Sequence, residues 1–142
     1  MRILVPIDGS AAAHRALIHA LAILGGHKDA SLILANVQSA EALDVSDISG
    51  VMSAAHDRKL ASRRSARALR AALAMCRAAG TRYETRAELG PVAETIDRLS
   101  RELKADQIVM GTRGHSAIGR LLLGSVATKV VELASVPVTL VK

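Results

Sequence analysis

Residues Val109–Ala134, VMGTRGHSAIGRLLLGSVATKVVELA, set Gly111, Gly114, Gly119 and Gly124 among apolar residues, directly after the short apolar run QIVM. A glycine just past a buried strand lets the chain turn with positive φ, and it lets a ligand reach the backbone with no Cβ in the way. Gly111 and Gly114 fit that description. Gly124 and Ser125 stand immediately before a helical run that extends to about Ala134. Their amides, with that of Val126, are expected to point outward at the helix start, where unpaired N–H groups and the helix dipole favour an anion. Ser125 adds a hydroxyl, either as a helix cap or as a donor to a phosphate. The plainer reading of the same residues is a long loop with turn glycines and a serine cap.

Working outward, strands and helices alternate. Ile3–Ile7 is a short apolar run, and Ala11–Leu24 repeats apolar residues at helical spacing through Ala13, Leu17, Ala20, Leu21 and Leu24. SLILANV, Ser31–Val37, reads as a buried strand. Gln38–Ala55 is polar and weakly periodic and is expected to be a loop. A helix follows from about His56 to Ala79 and is stopped by Gly80; TRYETRAEL alternates as a third strand; Pro91 opens a helix to about Leu103 at a position where its missing amide costs little. QIVM is then the fourth strand and VPVTLV, Val136–Val141, the fifth. Strands apolar enough to be covered on both faces and separated by helices predict an α/β sandwich of three layers, with a parallel sheet in the middle. In such sheets ligands sit beyond the carboxyl ends of the strands, where strand order reverses. The loops PIDGS and MGTRGHSAIGRLLLGS therefore hold the candidate chemistry, and they share a ligand only if the first and fourth strands are neighbours.

At 142 residues the chain fits a single domain spanning 1–142. Tyr83 is the one aromatic residue, so the core must be aliphatic. Cys76 is the one cysteine, which excludes an internal disulfide and suggests a reducing compartment. Asp8 interrupts the amino-terminal apolar run too early for a signal peptide, and nothing approaches the roughly 18 apolar residues of a membrane span. The chain reads as soluble and cytoplasmic. The excess of 19 Lys plus Arg over 13 Asp plus Glu raises a polyanion as partner. Lys59, Arg63, Arg67, Arg70 and Arg77 fall on one stripe of the second helix, opposite Leu69, Ala72, Leu73 and Cys76. The preferred reading is a solvated outer face whose stems cover apolar surface. No aromatics accompany these arginines to stack on bases, and nucleic acid is not the expected partner.

Gly111, Gly114, Gly124 and Ser125 realise the spacing Gly-x-x-Gly, nine residues, Gly-Ser. With ILVPIDGS at the amino terminus and NV ending the second strand, this pattern resembles the universal stress protein family, specifically its ATP-binding branch, over essentially the whole chain. The resemblance implies a five-stranded parallel sheet in the order 3-2-1-4-5, with an adenine nucleotide (ATP, or ADP or AMP) between the first and fourth strands. It implies Asp8 on adenine or ribose, with Pro6 and the adjoining Ile7 at the pocket wall and Val37 on adenine through its backbone. Met110 and Gly111 would lie along the nucleoside. Thr112, Arg113, Gly114, His115 and Ser116 would run beside the phosphates, and Gly124, Ser125 and Val126 would close on them. It further implies a homodimer through the fifth strand.

Read without the resemblance, several of these residues keep a second role. Asp8 with Gly9 and Ser10 is equally a turn capping the first helix, with Ser10 as the cap. Pro6 also ends strand pairing. Met110 serves as core filler or ligand wall. Arg113 offers a fork to phosphate oxygens or faces solvent, and His115 approaches a phosphate or faces solvent.

The rival chemistries fail on spacing. Gly-x-Ser-x-Gly is broken by Ile118, no Gly-x-x-x-x-Gly-Lys-Ser/Thr occurs, and the five histidines lack metal-ligand spacing. Phosphoryl transfer needs a positioned cation, metal and base, and the loops supply mostly amides and hydroxyls. A nucleotide-holding stress-response module with slow hydrolysis at most is expected, with Mg or another divalent ion on the phosphates but no protein ligand assigned to it. The alternative is a polyanion- or protein-interaction module that uses the arginine helix without nucleotide.

Overall fold

The computed structural model describes residues 1–25, 27, 29–39, 54–114 and 123–142, with side chains from residue 59 onward in the second helix. Nine elements alternate along the chain: β1 (Arg2–Pro6), α1 (Ala11–Leu24), β2 (Ser31–Gln38), α2 (Ala54–Ala78), β3 (Arg82–Leu89), α3 (Val92–Glu102), β4 (Gln107–Gly111), α4 (Ser125–Leu133) and β5 (Val138–Val141). The strands form one parallel sheet in the order β3-β2-β1-β4-β5, as expected. Of the segment Gln38–Ala55, expected as loop, Gln38 ends β2 and Ala54 and Ala55 begin α2, because the ladder to β3 runs on to the Gln38–Leu89 pair. Residues 40–53 lie outside the described residues.

The sheet separates two aliphatic layers, and strand alternation decides which residue goes where. Ile3, Val5, Leu32, Leu34 and Val109 pack toward α1 and α2, against Ala13, Ala16, Leu17, Ala20, Leu69, Ala72 and Cys76. Leu4, Ile33, Ile108 and Met110 pack toward α3 and α4, against Ala93, Ile96, Leu99, Ala127 and Val130. The small residues of α1 let that helix sit close to the sheet.

Helix ends follow from local chemistry. Ser10 caps α1, its Oγ accepting from the Ala13 amide at 3.2 Å. Gly80, at φ 62°, closes α2, with the Thr81 amide reaching the Cys76 carbonyl and the Gly80 amide the Arg77 carbonyl, both at 3.1 Å. This pair is a Schellman closure, which needs the left-handed residue that glycine provides. Pro91 stands as N-cap of α3. A Lys129–Glu94 ion pair ties α4 to α3.

Candidate functional site

β1 and β4 are hydrogen-bonded neighbours, yet β1 leads away to β2 on one side and β4 to β5 on the other. The loops leaving their carboxyl ends thus diverge, and a crevice opens between Asp8 and the segment following Gly111. Ile7 anchors the first loop: its side chain is buried, its amide donates to the Ala35 carbonyl at 2.8 Å, and its carbonyl accepts from Asn36 Nδ2 at 2.5 Å. The chain then turns at Gly9, φ 88°, and Asp8 Oδ1 accepts from the Ser10 amide at 2.8 Å. Asp8 itself is exposed at the crevice, so one carboxylate both shapes the turn and faces the opposite loop.

The opposite loop is shaped by close approach. Contrary to the sequence expectation, neither Gly111 nor Gly114 has positive φ; that conformation belongs to Gly9, Gly80 and Gly90 among the described glycines. Gly111 is required because α1 crosses it: a Cβ there would lie 2.8 Å from both the carbonyl carbon and the Cβ of Ala12. At Gly114 the neighbour is a side chain instead: a Cβ there would lie 2.6 Å from Asp8 Oδ2, so the carboxylate would have to move. The two candidate loops, more than a hundred residues apart in sequence, therefore meet at Asp8 and Gly114. Thr112 links this loop to both neighbours, its amide donating to the Val141 carbonyl at 2.9 Å and its carbonyl accepting from the Gly124 amide at 2.8 Å.

That last bond corrects a second expectation. The Gly124 amide does not point outward, because it is held by Thr112; Gly124 is the N-cap of α4, and Ser125 is its first helical residue and caps nothing through its side chain. The amides that helix geometry leaves without an intrahelical acceptor are those of Ser125, Val126 and Ala127, since the next, that of Thr128, already reaches the Gly124 carbonyl at 3.0 Å. Ser125 is exposed beside them.

The other expected residues divide by burial. Pro6 and Val37 are half-buried at the carboxyl ends of β1 and β2, and Arg113 is exposed. Met110 is 5 % exposed and packs within the α3/α4 layer, so its side chain is core. His115 and Ser116 lie outside the described residues. Asn36 enters the sequence reading only as part of the NV motif, with no role assigned to it there. It is 1 % exposed, donates to the Ile7 carbonyl, and through Oδ1 accepts from Gln38 Nε2 and from Ser65 Oγ of α2, each at 2.7 Å. It braces the ends of β1 and β2 beneath the crevice. A polar residue inside the otherwise apolar run SLILANV was the available signal.

A separate hollow of about 420 Å³, lined by Leu21, Leu24, His27, Thr81 and Arg82 among others, lies at the opposite end of the sheet. It lacks the convergence of strand ends and helix start that distinguishes the crevice.

A doubly wound parallel sheet with a glycine-lined crevice at its switch point, bordered by a helix amino terminus, is the α/β architecture in which ligands, where present, sit beyond the strand ends. The chain belongs to the universal stress protein family, whose family profile matches residues 1–142. It is 33% identical over 144 residues to a universal stress protein of Methanocaldococcus jannaschii, covering 99% of this chain and 81% of that one. Among solved structures, universal stress protein UspA from Lactobacillus plantarum superposes with TM-score 0.73 at 28% identity, covering 100% of this chain and 97% of the other. A universal stress protein in complex with cAMP superposes with TM-score 0.70 at 29% identity, covering 99% and 95%.

Proposed function

We propose that the crevice between β1 and β4 binds an adenine nucleotide, ATP in the first instance, and that occupancy rather than turnover is its output. The observation that carries this reading is the meeting of Asp8 with Gly114, where absence of one Cβ leaves room for the carboxylate and whatever it contacts. A carboxylate at the carboxyl edge of a strand accepts from two ribose hydroxyls. The phosphates then run past Thr112, Arg113 and Gly114 to the Ser125 and Val126 amides, where the α4 dipole favours negative charge. Pro6, Ile7 and Val37 border the base, and Met110 and Gly111 support the nucleoside from below. The relative in complex with cAMP supports an adenine nucleotide as the ligand class.

Asp8 is the carboxylate described in this crevice, and it is committed to the turn and the nucleoside end. Among the described residues no second group stands beside Asp8 as base for an attacking water, and our reading is of binding rather than phosphoryl transfer. A divalent ion such as Mg would travel with the phosphates. We place the protein in the cytoplasm as a stress-response module and pair it as a homodimer through β5.

Native mass spectrometry of protein as purified, followed by ATP titration of wild type, Gly114→Val and Ser125→Ala, tests the assignment. Retained adenine nucleotide in wild type, loss of binding in Gly114→Val and weakened binding in Ser125→Ala are expected. Equal ATP affinity of wild type and Gly114→Val would remove the site from this crevice.

A further inference from the structure

The net charge of the chain is +6, and residues 59–78 alone carry six cations and no acidic residue, so the rest of the molecule is electrically balanced. Within that segment Lys59, Arg63, Arg67, Arg70 and Arg77 are exposed along one side of α2, a stripe about 27 Å long at 1.5 Å per residue. Elsewhere several arginines are paired with carboxylates: Arg86 with Glu84 at 3.1 Å, Arg98 with Glu102 at 2.8 Å, Arg101 with Asp97 at 2.6 Å, and Arg2 with the same Glu84. Among the described residues no acidic group pairs with Lys59, Arg63, Arg67 or Arg70. Burial of Leu69, Ala72 and Cys76 holds the helix so that this face stays outward.

We infer that the outer face of α2 is a docking surface for the phosphate backbone of double-stranded nucleic acid, bound without sequence preference. Three features select that partner. The residues between the cations are small, Ser62, Ala66, Ala71 and Ala74, and the large apolar residues exposed on the described surface, Met1, Ile18, Leu89, Val131 and Leu133, all lie off α2. The stripe therefore offers neither the apolar or aromatic anchors of a protein interface nor the Trp, Phe and Leu of a helix that sinks into a bilayer. The one aromatic beside it, Tyr83, is half-buried in the α1/α2 layer, its hydroxyl accepting from Arg77 Nε at 3.2 Å. A single ring held this way gives no platform for successive unstacked bases, which argues against a single-strand reader. What remains is a row of one ammonium and four guanidinium forks, the forks matching phosphate oxygens in pairs, with a length near that of eight base-pair steps at about 3.4 Å each.

The surface is independent of the nucleotide crevice, since α2 packs on β2 and β3 while the crevice lies between β1 and β4. Fluorescence anisotropy of a labelled mixed-sequence duplex tests it, with the full chain titrated at increasing salt. If roughly four phosphates are neutralised, affinity falls about 100-fold between about 50 and 200 mM salt. The variant Arg63→Gln/Arg67→Gln/Arg70→Gln is expected to bind at least tenfold more weakly at low salt with a shallower salt slope. Its circular dichroism and melting temperature should match wild type. Arg98→Gln/Lys104→Gln/Lys142→Gln, which removes equal charge elsewhere, is expected to bind like wild type. No anisotropy change, equal losses in the two variants, or tighter binding of polyglutamate or phosphatidylserine vesicles would each overturn the inference.

Discussion

A methyl group added at Gly111 and one added at Gly114 meet different obstacles, and the difference separates folding from binding. At Gly111 the obstacle is the backbone of Ala12 in the first turn of α1, which cannot move without lifting the helix from the sheet. Gly111→Ala is expected to lower unfolding free energy by about 1–3 kcal/mol in urea titrations, the usual range for overpacking. At Gly114 the obstacle is the Asp8 carboxylate, a side chain at an exposed edge. Gly114→Ala should leave the unfolding free energy within about 0.5 kcal/mol of wild type, while calorimetric ATP titration shows reduced affinity. The sequence marks both glycines as candidates, but it cannot say which neighbour each one meets, because Ala12 and Asp8 approach them across the sheet rather than along the chain. The same limit applies to Gly124, where motif spacing locates the residue but not the Thr112 carbonyl that engages its amide.

Elements are held at the crevice by polar groups that local periodicity does not reveal. Asn36 joins the end of β1 to β2 and, through Ser65, to α2. Asn36→Ala would leave the Ile7 carbonyl and the Ser65 hydroxyl without their buried partner, and each such loss costs about 1–3 kcal/mol. The expected result is a clearly lowered urea midpoint, read by circular dichroism, together with weaker ATP binding as Ile7 and Asp8 lose their anchor. A second element-scale expectation concerns α2. Cys76 is fully buried against the sheet, and burial pushes its thiol up to about 11 from 9.0. The raised value means the folded chain keeps this proton after the unfolded chain has lost it. Stability from this group is thus intact below pH 9.0 and declines as pH rises toward about 11. Urea midpoints measured across that window should fall more steeply for wild type than for Cys76→Ala, whose side chain does not titrate. Identical slopes would mean the thiol is not desolvated.

At the scale of the whole molecule, the alternation of short apolar runs with helical periods was enough to read nine elements and three layers, because strands buried on both faces and alanine-rich helices have few other ways to cover one another. Strand order came from resemblance rather than periodicity, since contacts such as Ile3 with Gln107 join residues that no local pattern connects. The edge of that sheet carries the last expectation. The Ile108 amide donates to the Pro137 carbonyl and the Thr112 amide to the Val141 carbonyl, so odd-numbered residues of β5 turn their backbone groups toward β4. The backbone groups of Val138 and Leu140 consequently face away from the sheet. An open strand of this kind is a template for pairing with another chain, and a second copy meeting it antiparallel about a twofold axis closes both edges at once. Sedimentation equilibrium should give twice the 14.9 kDa chain mass. In the dimer the Leu140 amide should exchange with deuterium far more slowly than an unpaired surface amide, with protection that fades on dilution. A monomer at all concentrations, or a dimer in which Leu140 exchanges freely, would rule out pairing through β5.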